Sequence, residues 1–369
     1  MKSFKEQILE GIPSELPAKK PYDPAINHAP KRKDILTPEE KVLAIKNALR
    51  YFPVKFHEEL AEEFAQELHD YGRIYMYRFR PDYEMYARPI EEYPAKSHQA
   101  AAIMGMIQNN LDPRVAQHPH ELIVYGGNGA IFQNWAQYRL TMKYLAEMTD
   151  EQTLAMYSGH PMGLYPSHKD APRVVVTNGM VIPNYSEQDE WERFNGMGVS
   201  QYDQLTAGSY MYIGPQGIVH GTTITVMNAA RKQLRSRGIE GTQENMKGML
   251  FVTAGLGGMS GAQPKAGNIA GVVSVTAEIN PLAARKRHEQ GWVDELHENL
   301  DELIPRVRKA METKKTVSLP FVATVGVSWE GPAAANFPVA LGSAQQSPHN
   351  PGACPLTPPN PPDVQPRVI

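Results

Sequence analysis

Apolar positions recur at helical spacing through the first half of the chain and give way to short continuous apolar runs in the second. The first clear helix signal is Thr37-Pro38-Glu39-Glu40. It combines an N-cap hydroxyl, a proline where no N–H is missed, and a glutamate placed to close a capping box. Val42, Leu43, Ile45, Leu49 and Phe52 form the expected apolar stripe. A second helix is predicted over about residues 57–71, with Leu60, Phe64 and Leu68 every fourth residue and Gly72 as its stop. Residues 95–120 read as helical with a break at Leu111-Asp112-Pro113, and residues 131–148 as a helix bearing Trp135, Tyr138, Leu140 and Tyr144.

Strand signals are shorter. Residues 121–125 run into the glycine turn Gly126-Gly127-Asn128-Gly129, and residues 173–177 read as a strand with Val174, Val175 and Val176 as its core. Residues 210–219, interrupted by Gly214-Pro215, read as strand and loop, and residues 222–234 as a helix. A charged helix is expected over about 292–313. The polar, proline-bearing residues 1–35 read as a loosely ordered arm. From about Pro320 the character changes, with ten prolines between Pro332 and Pro366, so 320–369 reads as a divergent, disordered tail.

Composition narrows the class. A chain of 369 residues can bury a sizeable core and suggests two domains. The formal charge of −3 implies no nucleic-acid partner. No apolar run approaches a membrane span, and the N-terminus lacks a signal-peptide core. Cys354 is the single cysteine, so no internal disulfide can form, and a cytoplasmic location is expected.

The most informative segment lies between Lys247 and Glu278. An apolar run at 249–253 reads as a buried strand, followed by Gly255, Gly257, Gly258 and Gly261, a small-residue helix, and a second apolar run at 272–277 ending on Glu278. Glycines let backbone approach a pyrophosphate, whose charge a helix N-terminus stabilises, and an acid about 20 positions on can accept bonds from a ribose. The spacing departs from G-x-G-x-x-G, because Ser260 holds the third glycine position. A tight turn in a βαβ unit with no ligand is the competing reading. The turn at 126–129 and the neutral, glycine-rich stretch 204–221 repeat that ambiguity.

Other chemistries are not supported. His57, His69, His118 and His120 read as solvated, His160 and His168 stand apart, and neither an HExxH nor a Cys/His pairing occurs, so no metal site is expected. There is no G-x-S-x-G nucleophile turn. The run Arg285-Lys286-Arg287-His288 reads as a solvated helix face.

At YGGNG (125–129), YDQLTAGSYMYIGPQGIVHGT (202–222) and TAGLGGMSGAQ (253–263), the chain strongly resembles the urocanase family. NNLDPRVAQHPHELIVYGG and SGHPMGLYPSHKDAPRVVVTNGMVIPNY extend the likeness, which covers about residues 36–319. The resemblance implies an α/β fold: a urocanase core, here 36–208, into which a Rossmann-like NAD-binding domain is inserted, here its first half at 209–319, with the C-terminal part missing. It implies a homodimer that adds water to urocanate, giving imidazolonepropionate in histidine degradation. NAD+ there is tightly bound and acts as an electrophile toward the imidazole rather than as a hydride shuttle. Carried over by motif, Gly126 and Gly127 contact NAD, Tyr125 orients substrate or moves a proton, and Gln204 matches the family's glutamine. Gly258, Met259 and Ser260, beside Gly255 and Gly257, match the glycine-turn contacts, and Glu278 matches the ribose acid.

Two alternatives stand beside this. A Rossmann dehydrogenase would explain 255–278 but not the YGGNG and QLTAGSY blocks. A non-catalytic remnant is the other alternative, and because the family's later segments are missing this chain is itself expected to have little or no urocanase activity.

Overall fold

The structure, a computed structural model, describes residues 2–20, 22–125, 129–177, 185, 187–201, 208–211, 214–257, 260–279, 281–322 and 337–343. Contacts divide the chain into two compact units, residues 1–214 and 215–369.

In the first unit, helices surround an aromatic interior. They are α1 (Phe4–Glu10), α2 (Pro38–Leu49), α3 (His57–Tyr71), α4 (His98–Asn110), α5 (Trp135–Glu147) and α6 (Gln188–Gly196). Trp135, Tyr138, Phe64, Phe79 and Phe132 are among its largest buried side chains. The capping box at Thr37 and Glu40 forms as expected. The buried face of α2 is different: Ala44 and Ala48 turn inward with Phe52, whereas Val42 and Leu43 are exposed. Leu60, Phe64 and Leu68 are buried, and Gly72 ends α3 at φ 71°.

The described part of residues 2–35, expected as a loose arm, is anchored to the interior at several points. Ser3 caps α1 in a full capping box, and Ile8 is buried. Arg78 donates from Nε to the Pro17 carbonyl at 2.6 Å, and Arg139 reaches the Gly11 carbonyl at 3.3 Å. Buried Glu121 accepts from the Tyr77 hydroxyl at 2.6 Å and the Ala29 amide at 3.1 Å, and pairs with His28 Nδ1 at 2.6 Å. These anchors are polar groups of the core reaching the arm's backbone, so the arm's own apolar content does not reveal them.

Two small sheets complete this unit. β1 (Ile123–Tyr125) pairs antiparallel with β2 (Gly129–Ala130). β3 (Gln152–Tyr157) and β4 (His160–Pro166) form a hairpin that no apolar run marks, and β5 (Val174–Thr177) lies parallel to β3. β5 is a half-exposed edge with Val175 in solvent, not a buried core strand. Histidines read as solvated are buried in part: His118 is buried with Nδ1 3.0 Å from the Asn27 carbonyl. His160 is buried too, with Nε2 3.1 Å from the Gly198 carbonyl and Nδ1 2.5 Å from the Tyr51 hydroxyl. A carbonyl only accepts, so Nε2 carries the proton and Nδ1 receives the Tyr51 hydroxyl. Burial pushes His160 down to about 4, which keeps the ring neutral.

The second unit is a parallel sheet covered on both faces. It starts with α7 (Pro215–Arg235), which extends through 215–221 where strand and loop were expected, and the short α8 (Gln243–Met246). A proline at the first helical turn starts α7 instead of breaking it. Then come β6 (Leu250–Ala254), α9 (Ala262–Ala270), β7 (Val273–Glu278), α10 (Pro281–Glu289), α11 (Leu300–Glu312), β8 (Val317–Val322) and β9 (Val339–Gly342). α11 begins at its Asn299 cap, later than expected, with α10 a separate helix before it. The sheet order is β8-β7-β6-β9, with every pairing parallel. The chain steps outward from β6 to β8 and then places β9 on the other side of β6, which is the strand-order reversal of a doubly wound sheet.

β9 lies within the segment that proline content marks as unpacked. Residues 339–342, Val-Ala-Leu-Gly, are free of proline, which suffices for a short edge strand. Leu250, Val252, Val273 and Val275 pack with Leu303 and Val307 of α11 on one face. Phe251, Val272 and Leu341 pack with Val226, Ala230 and Leu234 of α7 on the other. Burial on both faces is why β6 and β7 read as mostly apolar runs, interrupted only by the small buried hydroxyls of Thr253, Ser274 and Thr276. α9 buries Ala262, Ala266, Gly267 and Ala270. A Cβ on Gly267 would stand 3.2 Å from that of Ser274, so helix and strand meet at glycine contact.

Buried Glu67 in α3 accepts from the Met76 amide at 2.7 Å and the Tyr77 amide at 3.0 Å. Burial nevertheless outweighs these bonds and raises its carboxyl to about 7. Between the unfolded value of about 4.3 and that raised value, the folded chain binds a proton that the unfolded chain has released. Stability attributable to Glu67 is therefore complete at low pH, declines as pH rises to about 7, and is level above. Relative to Glu67→Gln, the wild type should lose on the order of 3 kcal/mol of unfolding free energy from pH 4.5 to pH 8. Denaturant unfolding at both pH values tests this; a pH-independent difference between the proteins would mean that Glu67 stays ionised.

Candidate functional site

The site is built where β6 ends. Register pairs Ala254 with Ala277, so the two strands finish together. The Gly255 amide extends the ladder by one rung to the Ala277 carbonyl at 2.7 Å, and Gly255 turns the chain at φ 91°, which favours glycine. The next amide, Leu256, bonds the Glu278 carboxylate at 2.5 Å. Glu278 is thus at the tip of β7 as its spacing predicts, 9% exposed, and tied to the turn by Oε2.

Ser260 has a role that glycine could not fill. Its hydroxyl accepts from the Gly257 amide at 3.1 Å and closes the loop ahead of α9. Pro264 sits in the first turn of α9, where its missing N–H has no helical partner to lose. Gly257 and Gly261 differ in kind. A Cβ at Gly257 would meet only Ser260 Oγ at 3.7 Å, so among the described residues nothing fills the space beside it. A Cβ at Gly261 would stand 2.7 Å from Arg287 Nε and 2.8 Å from the Gly257 carbonyl, so glycine is required there by the protein itself.

Arg287 is the residue that the solvated reading of 285–288 missed. Arg285, Lys286 and His288 are exposed as expected, but Arg287 turns back from α10. Its Nε donates to the Leu256 carbonyl at 3.1 Å and its Nη2 to the Gly257 carbonyl at 2.8 Å. The guanidinium also lies 5.1 Å from the centre of the Trp292 ring. The only sequence signal is its place on the small-residue side of α10, three positions after buried Ala284.

The structure brings Gly255, Gly257, Ser260 and Glu278 together in the second unit. Gly258 and Met259 of the same turn, and Gly126, Gly127 and Gln204, lie outside the described residues. Tyr125 is in the first unit, at the end of β1 and 4% exposed.

A cavity of about 550 Å³ opens on the α7 side of the β6–β9 edge, lined by Thr222, Thr225, Phe251, Gln263 and Ser343 among others. Gln263 Oε1 accepts from the Thr253 hydroxyl at 2.7 Å and from Ser343, while its buried Nε2 has no hydrogen-bond partner among the described residues. Among the described residues, neither Gly255, Gly257 and Gly261 nor Glu278 lines this cavity. Among the described residues no group of His, Cys, Asp and Glu could hold a metal, and no helix is long and apolar enough to cross a membrane. A glycine turn with room beside Gly257 among the described residues, a helix beginning behind it and a carboxylate at the neighbouring strand tip suit a diphosphate next to a ribose diol.

Residues 85–211 match the Urocanase N-terminal domain, and residues 214–360 match the Urocanase Rossmann-like domain. The likeness therefore runs beyond residue 319, where the sequence reading ended it. Over 354 residues, 95% of this chain and 52% of the relative, the chain is 58% identical to a "Probable urocanate hydratase" of Dictyostelium discoideum. It is 54% identical over 352 residues to the "Urocanate hydratase" of Homo sapiens, covering 94% of this chain and 51% of that protein. The chain spans about half the length of the curated relatives it matches. Two urocanase domains in succession, on a parallel sheet that carries the glycine turn and Glu278, place this chain in the urocanase family.

Proposed function

We propose that the chain serves urocanate hydratase activity, the addition of water to urocanate to give 4-imidazolone-5-propanoate, with NAD+ held at the turn between β6 and α9. The observation that carries this reading is Glu278, fixed at the tip of β7 against the amide of Leu256. The carboxylate stands at the strand tip, at the spacing from the glycine turn of an acid that accepts from an adenosine ribose. The open side of Gly257 admits a pyrophosphate, and the N-terminus of α9 supplies favourable potential for it. Ser260 holds the Gly257 amide in place. Gly255, Gly258 and Met259 complete the turn, and Gly126, Gly127 and Gln204 contribute from the first unit by family likeness.

Bound there, NAD+ supplies a cationic ring that draws electron density from the imidazole of urocanate. Tyr125 is assigned to orient the substrate or move a proton at its hydroxyl. Homodimer assembly and a cytoplasmic location belong to the same reading. The test is turnover with NAD+ supplied, followed by the loss of urocanate's ultraviolet absorbance. Release of NADH during that turnover would indicate hydride transfer and overturn the proposal.

Two substitutions probe the cofactor site. Glu278→Ala should weaken NAD+ binding by roughly 10- to 100-fold, since ribose hydroxyls and the Leu256 amide both lose their acceptor at about 1–3 kcal/mol. Lys286→Ala, on the exposed face of α10, should leave it unchanged. Equal affinities in calorimetric titration would remove Glu278 from the site. Gly257→Ala should leave the unfolding midpoint nearly unaltered while lowering NAD+ affinity about tenfold, because the added methyl occupies ligand space rather than protein space. An equal loss of stability and affinity would show that Gly257 is only a structural turn.

A further inference from the structure

The glycine turn is held by two side chains, and only Glu278 contacts the ligand in the reading above. Glu278 takes the Leu256 amide. Arg287 takes the Leu256 carbonyl at 3.1 Å and the next carbonyl, Gly257, at 2.8 Å. A guanidinium is a rigid planar fork, so its two donors fix the relative tilt of two successive peptide planes, which a single ammonium cannot do. Its own orientation is fixed in turn: Nη1 donates to Gln290 Oε1 at 2.9 Å, and the plane rests against Trp292. Gly261 gives it room, since a side chain there would strike Nε.

The direction of these carbonyls matters for an anion. In a trans peptide the C=O and the following N–H point to opposite sides. The Leu256–Gly257 peptide displays this: its carbonyl faces Arg287 and its amide faces Ser260. A turn whose carbonyls swung toward a bound diphosphate would present partial negative charge to it. Drawing them onto a cation behind the turn removes that repulsion and adds a positive charge on the far side of the backbone.

We propose that Arg287 is a positioning residue for dinucleotide binding, a rear clamp that sets the peptide planes of the glycine turn without touching the ligand. The proposal rests on NAD+ occupying this turn. It separates the site's two halves: the diphosphate contact depends on Arg287, and the ribose contact depends on Glu278.

The test uses the full chain with Arg287→Met and Arg287→Lys. Three probes are titrated: NAD+, ADP-ribose, and adenosine, which carries the ribose without a diphosphate. Arg287→Met should weaken NAD+ and ADP-ribose by about 10- to 100-fold and leave adenosine within about twofold, because only the diphosphate contact is disturbed. Arg287→Lys keeps the charge and can still donate to the carbonyls but lacks the rigid planar fork, so it should fall between wild type and Arg287→Met and provides the comparison should the methionine variant fold poorly. Equal losses for ADP-ribose and adenosine in the lysine variant would reduce Arg287 to a support of α10 and overturn the clamp. Unchanged ADP-ribose affinity in a folded Arg287→Met would overturn it as well, with the NAD+ reading intact. Failure of the wild type to bind NAD+ or ADP-ribose would overturn both.

Discussion

The hydrogen bond between the Leu256 amide and the Glu278 carboxylate is the constraint on which the site depends. Up to Gly255, the parallel pair β6–β7 is joined by backbone alone. At Leu256 the acceptor becomes a side chain. The ladder therefore continues one rung past the point where β7's own backbone leaves it, and the turn begins from a fixed amide. Everything after that rung follows in order: Ser260 receives the Gly257 amide, Gly261 leaves room for Arg287, and α9 starts with its axis set by close packing on Ser274. The carboxylate is a structural acceptor before it is a ligand contact, so its placement does not wait for a ligand.

What the sequence disclosed and what it hid divide along physical lines. Strands β6 and β7 were legible because a parallel strand buried on both faces is mostly apolar, and the glycine cluster between them marked the turn. α3 was legible because one stripe of large residues fits one buried face. α2 was misread in part because Val42 and Leu43 face solvent while Ala44 and Ala48 face the core, with Ile45 and Leu49 only half-buried. The β3–β4 hairpin carries mixed polar and apolar residues with no single buried face, so alternation was weak. β9 was masked by the prolines around it. Arg287 was hidden among three exposed neighbours, since the inward turn of one long cationic side chain depends on carbonyls thirty positions upstream.

The packing of the first 35 residues has a similar cause. Its anchors are Arg78, Arg139 and Glu121, charged groups that reading by burial propensity assigns to the surface. Each is buried because it satisfies backbone groups of the N-terminal segment or a paired side chain. A buried charge needs such partners, so the segment and the interior specify one another. His160 follows the same logic in neutral form, with both ring nitrogens committed and no proton to gain at ordinary pH.

The small-residue face of α9 has a mechanical consequence. Ala262, Ala266, Gly267 and Ala270 set how far the helix axis stands above the sheet, and the glycine turn is the lever that joins helix to strand. Any side chain added on that face acts as a shim. It would lift the helix and rotate the turn at its near end, displacing the Gly257 peptide relative to Glu278 although no atom of the substitution lies near either. Spacing between the two halves of the candidate site is thus encoded in the absence of a methyl group on the buried side of a helix.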